Sequence, residues 1–346
     1  MSNIALAIHG GAGTILRSLM TPELEKEYRR GLEVALTTGW QILQCGGNSL
    51  DCVEATVCSL EDFPLFNAGR GAVFTHEGKN EMDASIMDGS RLRAGAVAAV
   101  KNVINPIRLA RLVMERTSHI LLAGDGANQF AREMGVEIAD DGYFFTEHRY
   151  QQLLRAREEG VVQLDHDPSE PAAVAAGSTQ DESKMGSTQP PGIAGGSDKK
   201  PIGTVGAVAC DMNGNLAAAT STGGMTNKKF GRVGDTPLIG AGTYADNATC
   251  AVSCTGHGEF FMLGVTAYDV AARVKYKGSS LVDAARETIE HLTAIGGDGG
   301  LIAVDAQGNV TLPFNSEGMY RGFVNDEGRA KVMIYLDEQV ASLVER

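Results

Sequence analysis

The stretch from residue 168 to residue 201 constrains this chain more than any other. It holds Pro168, Pro171, Pro190, Pro191 and Pro201, half of the ten prolines, together with five glycines, five serines and no aromatic side chain. Such a segment buries too little apolar surface to offset the entropy lost in ordering it, so it reads as a flexible surface linker. The core must then be assembled from two separate runs, one on each side of it. The whole chain of 346 residues is long enough for one large domain or two ordinary ones.

Before the linker, strands and helices alternate. Residues 4–8 are a short apolar strand ending at His9-Gly10-Gly11-Ala12-Gly13. Thr21-Pro22 caps and starts a helix whose stripe of Leu24, Tyr28, Leu32, Leu36 and Leu43 stops at Gly46-Gly47, and a second helix starts at Ser49 and heads toward Pro64. Residues 72–100 read as a strand meander with turns at Glu77-Gly78 and Asp88-Gly89, followed by a helix over 107–114 and a strand over 119–123. After the linker, residues 205–210 and 216–220 form a hairpin across Asn213-Gly214, and residues 301–305 and 310–314 form another across Gly308-Asn309. The small side chains of the first hairpin suit a sheet covered closely on both faces. Residues 259–276 and 280–292 have helical spacing. Explicit hairpins favour helices packed on antiparallel sheets, an α+β fold, over a doubly wound parallel one. Glycine is abundant, 43 residues or about 12% against the usual ~7%, without a Gly-X-Y period, which points to tight turns and close backbone approaches.

Charge and cysteine usage narrow the function. Thirty basic against 43 acidic residues leave a net charge of −13, a field that repels phosphate backbones and anionic lipid, so neither nucleic acid nor a membrane surface is expected as a partner. No apolar run approaches the ~18 residues of a membrane span, and residues 4–8 are too short for a signal-peptide core, so the chain reads as soluble and cytoplasmic. Cys45, Cys52, Cys58, Cys210, Cys250 and Cys254 include no C-x-x-C pair and read as free thiols rather than a zinc or disulfide framework. Phosphate-loop, zinc-helix and serine-elbow patterns do not occur in the sequence. His9, at a glycine turn, reads as structural or supporting.

What remains is a junction. The linker runs straight into Pro201-Ile202-Gly203-Thr204, where a strand of small residues begins. A threonine hydroxyl is a poor nucleophile without a base nearby. If the Gly203-Thr204 bond were cut, the new α-amine, with a pKa of ~7.7–8.0, would share a residue with the hydroxyl and could act as its general base. Gly203, lacking a Cβ, tolerates the backbone geometry that attack on its own carbonyl requires. Taken alone, a Gly-Thr pair before a strand reads as plain structure.

The surrounding motifs add to this. Gly203-Thr204-Val205-Gly206-Ala207-Val208, Ser221-Thr222-Gly223-Gly224-Met225-Thr226-Asn227-Lys228, Gly231-Arg232-Val233-Gly234-Asp235 and Cys254-Thr255-Gly256-His257-Gly258-Glu259 resemble the plant-type asparaginase and isoaspartyl peptidase family of N-terminal-nucleophile hydrolases. The likeness extends to His9-Gly10-Gly11-Ala12-Gly13, Phe66-Asn67-Ala68-Gly69-Arg70-Gly71 and Met82-Asp83-Ala84. It implies an αββα sandwich and autocleavage between Gly203 and Thr204. The products would be an α-subunit of residues 1–203 and a β-subunit of residues 204–346, held in one structural domain and assembled as a dimer of αβ units. It further implies a small-molecule substrate, L-asparagine or an isoaspartyl (β-aspartyl) dipeptide, cleaved to release L-aspartate with no cofactor for catalysis.

The roles that the resemblance assigns fall on specific residues. Thr204 matches the nucleophile and, through its amine, the base; Thr222 matches the second threonine beside it, and Asn67 a position near it. Thr255 and Gly256 match an oxyanion hole, where losing one donor typically costs ~3–4 kcal/mol of barrier stabilisation. Arg232 and Asp235, with Gly258 beside them, match a clamp for the α-carboxylate and α-ammonium of an amino acid, a task that suits a bidentate cation and a carboxylate. The backbone carbonyls of Leu60, Glu61, Phe63, Phe66, Ala68 and Arg70 match a loop that wraps sodium, and oxygen-only coordination suits such a hard ion. His257 stands where relatives often carry a smaller residue and reads as a bystander. Two rival readings are a glycosylasparaginase on the same scaffold, which usually has aspartate where this chain has Gly203, and a non-processed homologue that only binds.

Overall fold

The first strand shows what the glycines are for. In the computed structural model, which describes residues 3–162, 203–326 and 330–338, β1 (Ala5–Gly13) does not stop where its apolar run ends. It continues through His9-Gly10-Gly11-Ala12-Gly13, with a bulge between His9 and Gly11. Bare backbone permits this: a Cβ on Gly10 would stand 2.4 Å from the Phe66 ring, and Gly11 has φ +118°.

The first helices follow their caps. α1 (Pro22–Gln44) begins where the Thr21 hydroxyl accepts the Leu24 N–H, and it buries Tyr28, Leu32, Leu36 and Leu43. α2 (Ser49–Glu61) is capped one residue earlier, by Asn48 onto the Asp51 N–H. The meander shrinks to the hairpin of β2 (Met82–Asp88) and β3 (Arg93–Val100), because residues 72–81 form a turn anchored by a single bridge from Thr75 to Lys228. Next come α3 (Pro106–Arg116), β4 (Leu121–Ala123), α4 (Gly124–Glu133), α5 (Asp141–Phe144) and α6 (Glu147–Glu158). The linker read over 168–201 lies outside the described residues.

The second half opens with the expected hairpin, β5 (Val205–Cys210) and β6 (Leu216–Thr222), then β7 (Thr243–Ala245) and β8 (Cys250–Gly256). The helix expected over 259–276 is broken. α7 (Gly258–Gly264) ends at Val265, a left-handed residue with φ +46°, before α8 (Thr266–Ala272) resumes and closes in a π turn. α9 (Leu281–Ala294), capped by Ser280, is as expected, and β9 (Gly299–Asp305) leads to β10 (Val310–Thr311), shorter than the reading because only two residues pair. β11 (Gly318–Asn325) and β12 (Ala330–Met333) complete the described chain.

Eight strands form one sheet in the order β12-β11-β1-β5-β6-β2-β3-β4, antiparallel except for the β3–β4 pair. Four form a second, β10-β9-β8-β7. Side-chain alternation then defines the cores. Val205, Ala207 and Ala219 join Leu32, Val57 and Ile107 of the helices, whereas Val208, Cys210 and Ala218 join Ala251, Ile302 and Val304 of the smaller sheet. A third cluster places Val252, Cys254 and Leu301 with Phe261, Val270 and Ile289. β5 and β6 are thus covered on both faces, which is why their residues are small. The fold is α+β. Strands from the two halves of the chain alternate across the large sheet, with β1 between β11 and β5, and β6 against β2.

Candidate active site

Thr204 stands immediately before β5, in the middle of the large sheet. The register pairs Val205 with Ser221, which brings the end of β6 alongside it. The Thr204 hydroxyl donates to Thr222 Oγ1 at 3.3 Å, and Thr222 Oγ1 in turn donates to the carbonyl oxygen of Gly203 at 3.1 Å while accepting the Gly224 N–H at 3.0 Å. Asn67 supplies a second donor to the same Gly203 oxygen, Nδ2 at 2.9 Å, and also reaches the Gly224 carbonyl at 2.8 Å. Its Oδ1 accepts the Val73 N–H at 3.0 Å, so the amide orientation is fixed by three partners. All of these side chains are buried. The Gly203-Thr204 peptide therefore carries a hydroxyl on one side and a doubly hydrogen-bonded carbonyl on the other. If the hydroxyl attacked, charge developing on that oxygen would meet two preorganised donors.

Asn67 owes its place to the loop after α2. A Cβ on Gly223 would stand 2.4 Å from Asn67 Oδ1, and Gly69 holds φ +50° against the Glu61 carbonyl. The Glu61 side chain ties this loop to β6: its Oε1 accepts the Ser221 hydroxyl at 2.7 Å and the Ile107 N–H at 3.1 Å. Burial pushes its carboxyl up to about 8 despite those hydrogen bonds. From α6, the buried Arg149 guanidinium donates to the carbonyls of Gly71 at 2.9 Å and Leu65 at 3.0 Å.

A second group lies on the loop before β7 and the turn after β8. Asp235 is buried with Oδ2 unpartnered, and burial pushes its carboxyl up to about 7, with nearby Arg232 pulling the other way. Arg232 does not pair with it. Instead its Nε and Nη2 both reach the carboxylate of Glu259, each at 2.9 Å, and His257 Nε2 lies 3.3 Å from the same carboxylate. Burial disfavours the charge on Glu259, but the hydrogen bonds from His257 and Arg232 outweigh it and hold the carboxyl below its usual range. Gly258 must be bare, since a Cβ there would lie 2.8 Å from Asp235 Oδ1 and 2.9 Å from Arg232 Nη2. Thr255, buried at the end of β8, accepts the Ala12 N–H at 3.2 Å. Gly256 follows it in register with Gly299.

Residues 2–334 match the asparaginase family. The chain belongs to that family. Among proteins similar to it, the isoaspartyl peptidase of Escherichia coli (strain K12) is 50% identical over 94% of this chain and 95% of its own length. A probable isoaspartyl peptidase/L-asparaginase 2 of Arabidopsis thaliana is 42% identical over 97% and 100%, and an isoaspartyl peptidase/L-asparaginase of Xenopus laevis is 40% identical over 99% and 98%.

Within this asparaginase-family chain, the structure joins Gly203, Thr204, Thr222 and Asn67 by direct contacts and gathers Arg232, Asp235 and Gly258 separately. Sequence reasoning quoted Glu259 inside a motif without giving it a task. No spacing in the sequence marks it; only the fold sets Glu259 against Arg232. His9, read as supporting, proves to be wholly buried and bonded to the Thr204 carbonyl. No helix among the described residues is long and apolar enough to cross a membrane.

Proposed function

We propose that this enzyme is an autoproteolytically activated threonine hydrolase that cleaves isoaspartyl (β-aspartyl) dipeptides and L-asparagine to release L-aspartate. The observation that carries the reading is the Gly203 carbonyl, held by Asn67 and Thr222 beside the Thr204 hydroxyl. Attack by that hydroxyl on the Gly203 carbon moves the acyl group from nitrogen to oxygen, the hydroxyl proton passing to the nitrogen so that the Thr204 amine is freed, and water then cleaves the ester, releasing the Gly203 carboxylate and restoring the Thr204 hydroxyl. In the resulting chains, residues 1–203 and 204–346, the hydroxyl attacks the side-chain amide carbonyl of the substrate. The amine takes the hydroxyl proton and delivers it to the departing nitrogen, leaving an acyl-enzyme that water hydrolyses. Thr255 and Gly256 face the developing oxyanion, while Arg232 takes the α-carboxylate and Asp235 the α-ammonium.

Other parts of the reading have their own support. The three cores, helix on sheet, sheet on sheet and sheet on helix, support the αββα sandwich of N-terminal-nucleophile hydrolases as one structural domain. Cβ atoms at Gly69 and Gly71 would lie 2.5 Å from the Glu61 carbonyl oxygen and 2.1 Å from that of Phe66, so the loop keeps an oxygen-edged cradle there. Sodium held by the carbonyls of Leu60, Glu61, Phe63, Phe66, Ala68 and Arg70 belongs to this reading, since oxygen-only coordination suits such a hard ion. Six free thiols, five of them buried, support a cytoplasmic setting. Assembly as a dimer of αβ units completes the reading and is tested by the mass of the purified protein in solution. The deciding experiment is N-terminal sequencing of the smaller fragment together with an aspartate-release assay on asparagine and β-aspartyl-leucine. A smaller fragment beginning at Thr204 with aspartate release is expected, and turnover by a chain never split overturns the proposal.

A further inference from the structure

A chain of buried hydrogen bonds starts at the carbonyl of Thr204 and does not involve its hydroxyl. His9 Nδ1 lies 2.9 Å from the Thr204 oxygen, and His9 Nε2 lies 2.8 Å from Ser253 Oγ. From Ser253 the chain passes to Thr220 at 2.7 Å, to Thr243 at 2.5 Å, to Ser85 at 2.7 Å and finally to the carbonyl of Thr236 at 2.6 Å, the residue after Asp235. Every side chain in it is buried, so water cannot substitute for a missing link. Room for it is built into β5: a Cβ on Gly206 would stand 2.1 Å from Ser253 Oγ and 2.4 Å from His9 Nε2.

Counting hydrogens gives the chain a direction. A carbonyl oxygen only accepts, so the Thr204 end requires the hydrogen on His9 Nδ1. Burial holds the imidazole neutral, pulling it down to about 3 against the opposing effect of the Thr204 hydrogen bond. Nε2 is then an acceptor, which obliges Ser253 to donate to His9, Thr220 to Ser253, and Thr243 to Thr220. Six links share five hydrogens: the single hydrogen of Ser85 serves both Thr243 and the Thr236 carbonyl, and Thr220, also 3.4 Å from the Gly242 carbonyl, keeps its hydrogen for the much shorter contact to Ser253. Either choice at Ser85 leaves the polarity toward Thr204 unchanged.

We propose that His9 is a positioning residue for the nucleophile, and that the hydroxyl chain from Ser85 to Ser253 fixes the imidazole tautomer in which it does so. The inference rests on the reading of Thr204 as the nucleophile. Once the Gly203-Thr204 bond is cut, the amine end of Thr204 has no peptide tether. Its amine and hydroxyl then project from the Thr204–Val205 peptide plane, and the hydrogen bond to the Thr204 carbonyl holds that plane, and with it their point of attachment, in place. Misplacement of about 1 Å at a reacting group can cost about 100-fold in rate.

The test compares Thr204→Ala, His9→Ala, His9→Gln and Ser253→Ala, each scored for cleavage, kcat and KM on asparagine, with 15N imidazole shifts of the wild-type protein alongside. His9→Ala is expected to lower kcat of the cleaved enzyme about 100-fold with KM changed less than about threefold. His9→Gln, whose amide can donate to Thr204 and accept from Ser253, recovers most of that loss, and Ser253→Ala falls between. The imidazole shifts are expected to report a neutral ring protonated at Nδ1. Wild-type kcat in His9→Ala, a His9→Gln variant no better than His9→Ala, or protonation at Nε2 overturns the inference. Should His9→Ala fail to fold, wild-type kcat in Ser253→Ala overturns it equally. Activity in Thr204→Ala instead overturns the underlying reading of the nucleophile, and the two failures are thereby distinguished.

Discussion

At the residue scale, the proposed clamp asks unequal things of Asp235 and Arg232. Burial pushes the Asp235 carboxyl up to about 7, and in the proposed clamp the substrate ammonium needs its charged form. KM for asparagine is therefore expected to rise as pH falls below 7, up to about tenfold per unit, and steady-state kinetics from pH 5 to 9 checks this. Asp235→Asn should raise KM at every pH and remove the dependence. Stability runs the opposite way: a carboxyl whose folded value lies above its unfolded one contributes fully at low pH and loses that contribution as pH rises through about 7. Thermal melts should accordingly show Asp235→Asn more stable than wild type at pH 8 and little different at pH 4. Arg232→Ala is expected to raise KM strongly while autocleavage continues, because its ligand is absent during maturation; equal loss of cleavage would make Arg232 a structural residue. Thr204→Ala should leave the chain whole and inactive on a denaturing gel and in the aspartate assay, and a cut in that variant would mean an outside protease acts. The residues of this site were legible unevenly. Thr204 stands out because a linker meets a small-residue strand there, whereas no spacing rule reveals that Glu259 occupies the arginine or that His9 reaches across to residue 204.

At the element scale, hydrophobic period and cap chemistry locate α1, α2, α3, α9 and the β5–β6 hairpin, since each has an apolar stripe or a turn with a local cause. The missed elements lack such a cause. β11 carries Arg321 mid-strand, buried with its guanidinium 4.6 Å from the Phe314 ring centroid, which hides the strand from an apolar pattern. β1 overruns its apolar stretch because glycines let it pass Phe66. The helix read over 259–276 divides at Val265, where a β-branched residue holds a left-handed backbone that costs ~1–3 kcal/mol. Val265→Gly should relieve that cost and raise the melting temperature by a few degrees, or roughly 1 kcal/mol. An unchanged or lower melting temperature would mean that contacts of the Val265 side chain offset the strain.

At the scale of the whole molecule, composition and hairpins suffice for the α+β class, but strand order is set by contacts between residues hundreds of positions apart. Cys210 and Ala5, or Gly13 and Gly318, are neighbours only in the folded sheet. The order interleaves the two sides of the proposed cut: β12 and β11, then β1, then β5 and β6, then β2 to β4. Neither fragment can leave without breaking several strand ladders, so the cleaved pieces should co-elute in size-exclusion chromatography until denaturant is added. Separate elution in native buffer would show that the ladders do not hold them. The intact precursor reaches its fold by a first-order process, whereas denatured fragments must first find each other. Recovery after denaturation should thus slow on dilution for the cut protein and not for the Thr204→Ala chain, so the proposed activating hydrolysis would also make refolding a second-order event.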